Sequence, residues 1–185
     1  MEPGKIVYRG KTKKGNEIYI RYPQETDVSF FLDFYNAASK EKTFIRNQGE
    51  LLTQAEEEKY VKDLLKKIRD SKAVKLLAFI DDKLVGAADI KLQDKVEEHV
   101  GIFGIIVAKE FRGEGIGKLL MNLVFEEAKK NIKDLKIVTL GCFANNIGAC
   151  MMYKSFGFKE YGNLPEGLIH KGQYVDHIYM YKKIE

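Results

Sequence analysis

Apolar and polar residues change period several times along the 185-residue chain, and each change marks an element. EIYIRY (17–22) alternates and is rich in Ile and Tyr, which predicts a strand. After Pro23, Val28, Phe31, Leu32 and Tyr35 fall at helical spacing. The stretch NAASKEKTFIRNQGE (36–50) has no clear period and reads as a long loop. Thr53-Gln-Ala-Glu56 is a capping-box pattern, and Val61, Leu64, Leu65 and Ile68 then share one face, predicting a helix over about 54–70. AVKLLAFI (73–80), the turn DDK and LVGAADIKL (84–92) predict a β-hairpin. EHVGIFGIIVA (98–108) becomes apolar on both faces near its end, the mark of a central strand. A glycine-rich loop follows. Ile116, Leu119, Leu120, Leu123, Val124 and Ala128 then predict an amphipathic helix to about 131. LKIVTLGCF (135–143) reads as a strand, and NIGACMMYKSF (146–156) as a short helix closed by Gly157. FKEYG (158–162) and YVDHIYMYKK (174–183) complete the strands, while residues 1–16, polar and glycine-punctuated, read as a flexible, partly ordered arm.

The element order is a mixed α/β arrangement with a strand, a glycine turn and a helix at its centre. No linker or repeat divides it, so residues 1–185 are expected to form a single domain. A hydrophobic share of 45% and a charged share of 31% are those of a soluble globular protein. No run approaches the ~18 apolar residues of a membrane helix, and the first residues lack the apolar stretch of a signal peptide. The expectation is a cytoplasmic protein without a membrane partner. The net charge of +4 is mild, and lysines alternate with acids as on a solvated helix face. That pattern argues against nucleic acid as the main partner. Cys142 and Cys150 have no zinc-type spacing, and the histidines are scattered, so no metal site is expected and two buried thiols are.

The candidate chemistry begins at EFRGEGIGKLL (110–120). A magnesium-nucleotide P-loop fails here, because Arg112 stands where its first glycine belongs and Leu119 replaces the hydroxyl residue. A dinucleotide fingerprint needs its third glycine one residue later and an earlier strand. A bare turn rarely needs three glycines. The remaining reading is a backbone cradle for an anion: small residues let N–H groups point inward, and the helix starting there adds its positive end. Arg112 is expected to neutralise a phosphate.

FGIIVAKEFRGEGIGKLLMNLVFEEAKK resembles motif A of the GCN5-related N-acetyltransferases (GNAT), with Arg112, Gly115 and Gly117 at its fixed positions. FANNIGACMMYKSFGFKEYG is similar to the family's second motif at Asn146, Ala149, Tyr153, Gly157 and Phe158, with Met152 in place of Leu. The resemblance covers about residues 75–183 well and the first 70 loosely. Within the family the chain looks most like broad-specificity amino-acid N-acetyltransferases, through His99 in HVGIFGIIV and through Gly172, Tyr174, Asp176 and Met180 of the closing stretch. NLPEGLIH (163–170) departs from that likeness.

The resemblance implies an α/β (α+β) GNAT fold. Its central mixed, mostly antiparallel twisted sheet would have six to seven strands, a splayed parallel pair, and about four flanking helices. It implies acetyl-CoA as cosubstrate, and a small-molecule amine, an amino acid above all, as acceptor. Protein N-termini, lysines or polyamines are the alternative acceptors, and a non-catalytic acyl-CoA-binding module is the alternative class. Both a monomer and a homodimer fit. The backbone of Ile105, Ile106 and Val107 would bond the pantetheine and polarise the thioester carbonyl. Amides of Gly113, Gly115, Ile116, Gly117 and Lys118 would hold the pyrophosphate. Asn146 would bond the pantetheine or cap a helix. Tyr153 is the family's general acid, and otherwise a core tyrosine. His99 is a base, a substrate-shaping group or a plain surface or core histidine, and about 26 Å of extended strand separates it from Val107. Phe44, Tyr161, Tyr174 and Asp176 are the acceptor-side candidates, each with an ordinary core or surface reading beside it.

Overall fold

The computed structural model describes residues 1–184. The elements are β1 (Ile6–Lys11), β2 (Glu17–Arg21), α1 (Val28–Glu41), α2 (Gln54–Arg69), β3 (Ala73–Ile80), β4 (Lys83–Leu92), β5 (Val100–Val107), α3 (Ile116–Asn131), β6 (Ile137–Phe143), α4 (Ile147–Ser155), β7 (Lys159–His170) and β8 (Gln173–Lys183). One eight-stranded sheet carries them in the order β1-β2-β3-β4-β5-β6-β8-β7. Every neighbouring pair is antiparallel except β5–β6.

Local chemistry explains the well-read elements. Thr53 and Glu56 form the reciprocal capping box of α2, whose buried stripe is Val61, Leu64, Leu65 and Ile68. Asp81 and Asp82 both adopt positive φ, giving the two-residue turn that a twisted β3–β4 hairpin favours. Every residue of β3 is buried, as a strand covered on both faces must be. Leu120 packs over Gly86 of β4, so α3 lies on the even-numbered face of β4 and on the odd-numbered face of β5. Tyr35 of α1 and Tyr60 of α2 lie on the opposite face, where their hydroxyls receive the Lys75 ammonium at 2.9 and 3.0 Å. Lys75 is 1% exposed and also donates to Asp89 at 3.1 Å, so its buried charge is fully partnered.

Three expectations need correction. Residues 6–11 are not a loose arm but β1, paired along β2, and they make the sheet eight strands rather than six or seven. The stretch from residue 36 continues α1 to Glu41, because Ala37 and Ala38 are strong helix formers and Lys42 closes the helix at φ 51°. β7 runs on to His170 through Pro165, which an edge strand tolerates because that side of the backbone needs no donor.

Candidate active site

The parallel pair is short. β5 and β6 pair only at Val100–Ile137, Gly101–Val138 and Ile102–Thr139. Beyond Ile102 the two strands diverge, and β5 keeps β4 as its neighbour through Val107. Strand alternation then decides which backbone groups meet the gap. The Val100 carbonyl and the Ala108 N–H both bond on the β4 side. The even residues between them, Ile106 included, therefore spend their backbone groups on β4. The odd residues face the gap, as the Gly101 carbonyl does in accepting the Thr139 hydroxyl. Ile105 offers both N–H and C=O there. Val107 offers its N–H, while its carbonyl accepts the Arg112 Nε at 3.0 Å. Ile106 borders the gap, but its backbone groups are spent, so it is removed from the expected backbone ligands.

A cavity of about 580 Å³ fills this gap and continues over the glycine loop. Its walls include Phe44, Ile105, Val107, Gly113, Gly115, Gly117, Lys118, Asn146 and Tyr153. Gly113 and Gly115 sit at φ 81° and 88°, values that a side-chain-bearing residue adopts only with strain. Gly115 is the N-cap of α3, and no side chain caps that helix. The first N–H groups of α3, on Ile116, Gly117 and Lys118, have no carbonyl partner within the helix. They face the cavity with the positive end of a 16-residue helix behind them. The arrangement suits an extended ligand with an anionic segment at one end and an amide-bearing arm at the other.

The acetyltransferase (GNAT) family model matches residues 31–158. The chain belongs to the GNAT family. The chain is 31% identical over 106 residues to an L-amino acid N-acetyltransferase, AaaT, of Escherichia coli, an alignment spanning 57% of this chain and 65% of that one. It is 37% identical to an uncharacterized N-acetyltransferase of Methanocaldococcus jannaschii over 55% of this chain and 44% of that one. The matched segment thus spans less than two thirds of either relative's length. Among solved structures, a GNAT acetyltransferase from Streptococcus pneumoniae superposes with a TM-score of 0.82 at 27% identity, covering 91% of this chain and all of that one. A ribosomal-protein-alanine N-acetyltransferase from Brucella melitensis gives 0.78 at 26%, covering 89% and 99%. The structure of yncA from Salmonella typhimurium with its cofactor acetyl-CoA gives 0.78 at 16%, covering 91% and 94%, a likeness of fold.

Tyr153, Asn146, Phe44 and Arg112 all border the cavity, in different states of engagement. Tyr153 is 9% exposed, lines the wall, and makes no hydrogen bond to the described residues. Burial, with the thiols of Cys142 and Cys150 adding to it, pushes its phenol well above the usual tyrosine range, so the hydroxyl remains a proton donor. The two thiols are buried, unbridged and in mutual contact. Asn146 caps α4 through its Oδ1, which accepts from the Ala149 N–H at 3.3 Å, and the residue also borders the cavity. Phe44 borders it too, packed against His170 at 4.4 Å between ring centres with the planes tilted by 37°. Arg112 does not meet the expectation of a free phosphate ligand. Its guanidinium is clamped by both Glu41 oxygens at 2.6 and 2.9 Å, so it ties the end of α1 to the end of β5.

Four candidates lie elsewhere. His99 precedes β5, is exposed, and stands at the end of the strand opposite the gap. Tyr174 is 69% exposed near the β7–β8 turn, and Tyr161 packs on Tyr179 and Tyr181. Asp176 accepts the Asn163 amide at 2.9 Å and the Glu166 N–H at 3.0 Å, and these bonds hold its carboxyl below the usual range. Its work is to fasten the irregular stretch of β7 between Leu164 and Leu168. Two residues near the site had no motif to announce them. Lys13 borders the cavity from the turn between β1 and β2. His177 lies over Gly141 of β6, close enough that a Cβ there would overlap its imidazole.

Proposed function

We propose that the protein transfers the acetyl group of acetyl-CoA to the α-amine of an amino acid. One observation carries the reading: a parallel strand pair splayed beside an uncapped, glycine-lined helix N-terminus. Amides of Gly113, Gly115, Ile116, Gly117 and Lys118 hold the pyrophosphate. The backbone of Ile105 and the N–H of Val107 hold the pantetheine arm, with the Asn146 amide on the facing wall. The Ile105 N–H, or that of Val107, polarises the thioester carbonyl as the amine adds to its carbon. The carbon–sulfur bond then breaks, and Tyr153 donates to the departing sulfur. The nitrogen loses a proton in the same reaction.

We assign that proton to His177 in preference to His99. It lies on the face of the sheet opposite α3, and Gly141 beneath it is within about one residue of Ile105 along the diverging strands. Burial lowers its pKa, which keeps the imidazole neutral near pH 7.

AaaT supports a free amino acid as the acceptor, and the ribosomal-protein-alanine enzyme supports an α-amine at a protein N-terminus. Both present the same reacting group. Release of CoA thiol, measured over free amino acids, N-terminal peptides, internal lysine peptides and polyamines, separates the sources. Turnover with free amino acids supports the reading. Turnover confined to peptides or polyamines refutes it, and tight acetyl-CoA binding with no turnover on any amine marks a non-catalytic module. If wild type and His177→Ala share the same acidic limb in a pH–rate profile, His177 does not take the proton.

A further inference from the structure

Glu114 stands in the middle of the glycine loop, where an unscreened carboxylate would repel the phosphates of a coenzyme. The fold turns it away. Its side chain is 3% exposed and accepts the Thr12 hydroxyl at 2.7 Å and the Asn16 amide at 2.9 Å, with the Lys14 ammonium at 3.4 Å. Its backbone carbonyl also accepts the Lys13 N–H at 3.1 Å. All four partners come from the turn between β1 and β2. Bonding from Thr12 first, and from Asn16 and Lys14 after it, holds the Glu114 carboxyl below its usual range. The turn is thus locked onto the loop through an anion that stays ionised at neutral pH.

The lock sorts two adjacent lysines. Lys14 is consumed by Glu114. Lys13 lies across the loop with its methylenes 3.4–3.6 Å from where a Gly115 Cβ would stand, and it borders the cavity. Among the described residues Lys13 has no carboxylate partner. Arg112, at the loop's start, is spent on Glu41, so Lys13 and Lys118, in the first turn of α3, are the cations left beside the cavity.

We propose that the β1–β2 turn is part of the coenzyme site, with Lys13 as a cationic ligand of the CoA phosphates and Thr12, Asn16 and Glu114 as the latch that positions it. The inference rests on the acetyl-CoA reading above. A flexible ammonium at a solvent-facing rim is a point-charge contact, so its effect is modest and is screened by salt.

The test is calorimetric titration of the full chain with CoA, independent of turnover. Lys13→Ala is expected to raise Kd about fivefold at low salt, and less than about twofold near 0.5 M salt. Lys5→Ala, the same charge change at the other end of β1, is expected to leave Kd within about twofold. Glu114→Ala, which keeps Lys13 but releases the turn, is expected to weaken CoA binding as Lys13→Ala does. Two shortened ligands identify the phosphate. A Lys13→Ala penalty that persists with 3′-dephospho-CoA assigns the pyrophosphate, and one that disappears assigns the 3′-phosphate. A penalty of the same size with S-acetylpantetheine, which carries neither, overturns the proposal. So does a Lys13→Ala affinity equal to wild type. Failure of wild type itself to bind CoA overturns the acetyl-CoA reading and this inference with it.

Discussion

Removing one oxygen, in Tyr153→Phe, tests the proton-donor assignment. The substitution is clean because the hydroxyl makes no hydrogen bond to the described residues and is not sealed from the cavity. Stability should change by less than about 1 kcal/mol, which is at most about 2–4 °C in Tm for a chain of this size. The kinetic effect follows from the phenol's environment. Burial and the two nearby thiols raise its pKa above the ordinary ~10, whereas a thiol leaving group has a pKa near ~8.5. Complete proton transfer to the sulfur is therefore uphill, and the donor acts by a hydrogen bond to developing negative charge. Such a bond contributes about 1.5–3 kcal/mol, or roughly 10- to 150-fold in kcat. Full general-acid catalysis would give about 10²–10⁴-fold.

The expected result is therefore a kcat lowered by one to two orders of magnitude, with KM for acetyl-CoA and Tm close to wild type. The assay is CoA release under saturating amine, followed by thiol titration. The raised pKa also fixes the sign of the pH dependence. A tyrosine that stays protonated puts no basic limb of its own on kcat below about pH 10. An unchanged kcat would remove Tyr153 from the chemistry. A fall beyond about a thousandfold would refute the hydrogen-bond argument and show that the proton does move.

Three further outcomes are expected. Lys75→Met leaves Asp89 with Lys91 alone and should cost about 3–5 kcal/mol in urea unfolding at pH 7, and adding Asp89→Leu should recover most of it. Burial opposes ionisation of Asp89, but Lys75 and Lys91 outweigh it and hold its pKa low. The gap between wild type and Lys75→Met should therefore persist above about pH 4 and close only as pH falls through that lowered value; a gap that closes at neutral pH would refute the ion-pair account. Arg112→Ala should cost less than about 1 kcal/mol of stability, because the pair with Glu41 is half-exposed. It should still raise acetyl-CoA KM about three- to tenfold by loosening the end of β5, and combining it with Glu41→Gln should add little; additive effects would sink the clamp. Cys142 and Cys150 are buried, and burial pushes the Cys142 thiol up, so neither should react quickly with an aromatic disulfide reagent until the chain unfolds. A fast stoichiometric burst from native protein would refute their placement.

What could be read in advance was what is local. The capping box at Thr53, the turn within DDK and the glycine spacing each encode backbone conformation within a few residues, and each appears in its place, with Lys83 joining β4 and the turn narrowed to Asp81–Asp82. β1 was illegible because a hairpin strand at a sheet edge needs only one partner. Its residues carry no long apolar alternation, and its turn is held by Glu114, about a hundred positions away. The choice between the two readings of Asp176 is not legible in the sequence for a related reason. An acid near a candidate pocket looks like an amine ligand until the irregularity in β7 shows two donors already on it. The strand signal in HVGIFGIIV was sound, but it could not say which alternate residues would face the gap. That depends on which side β4 takes, and it separates Ile105 and Val107 from Ile106.

The same distinction bears on charge. The R-G-x-G-x-G spacing specifies where amide groups point, because φ near +80° at Gly113 and Gly115 is a property of the loop itself. It does not specify what the side chains between the glycines bind. Arg112 precedes the glycines and yet pairs with α1, and Glu114 lies among them and yet pairs with the β1–β2 turn. An anion cradle made of backbone amides tolerates both outcomes, since its donors are not lost when a side chain turns elsewhere. The cation beside it can then be supplied by whatever segment packs against the loop, and here that segment brings Lys13. Coenzyme affinity in this chain should therefore depend on a residue outside the recognisable motif, and its salt dependence should be governed by Lys13 and not by Arg112.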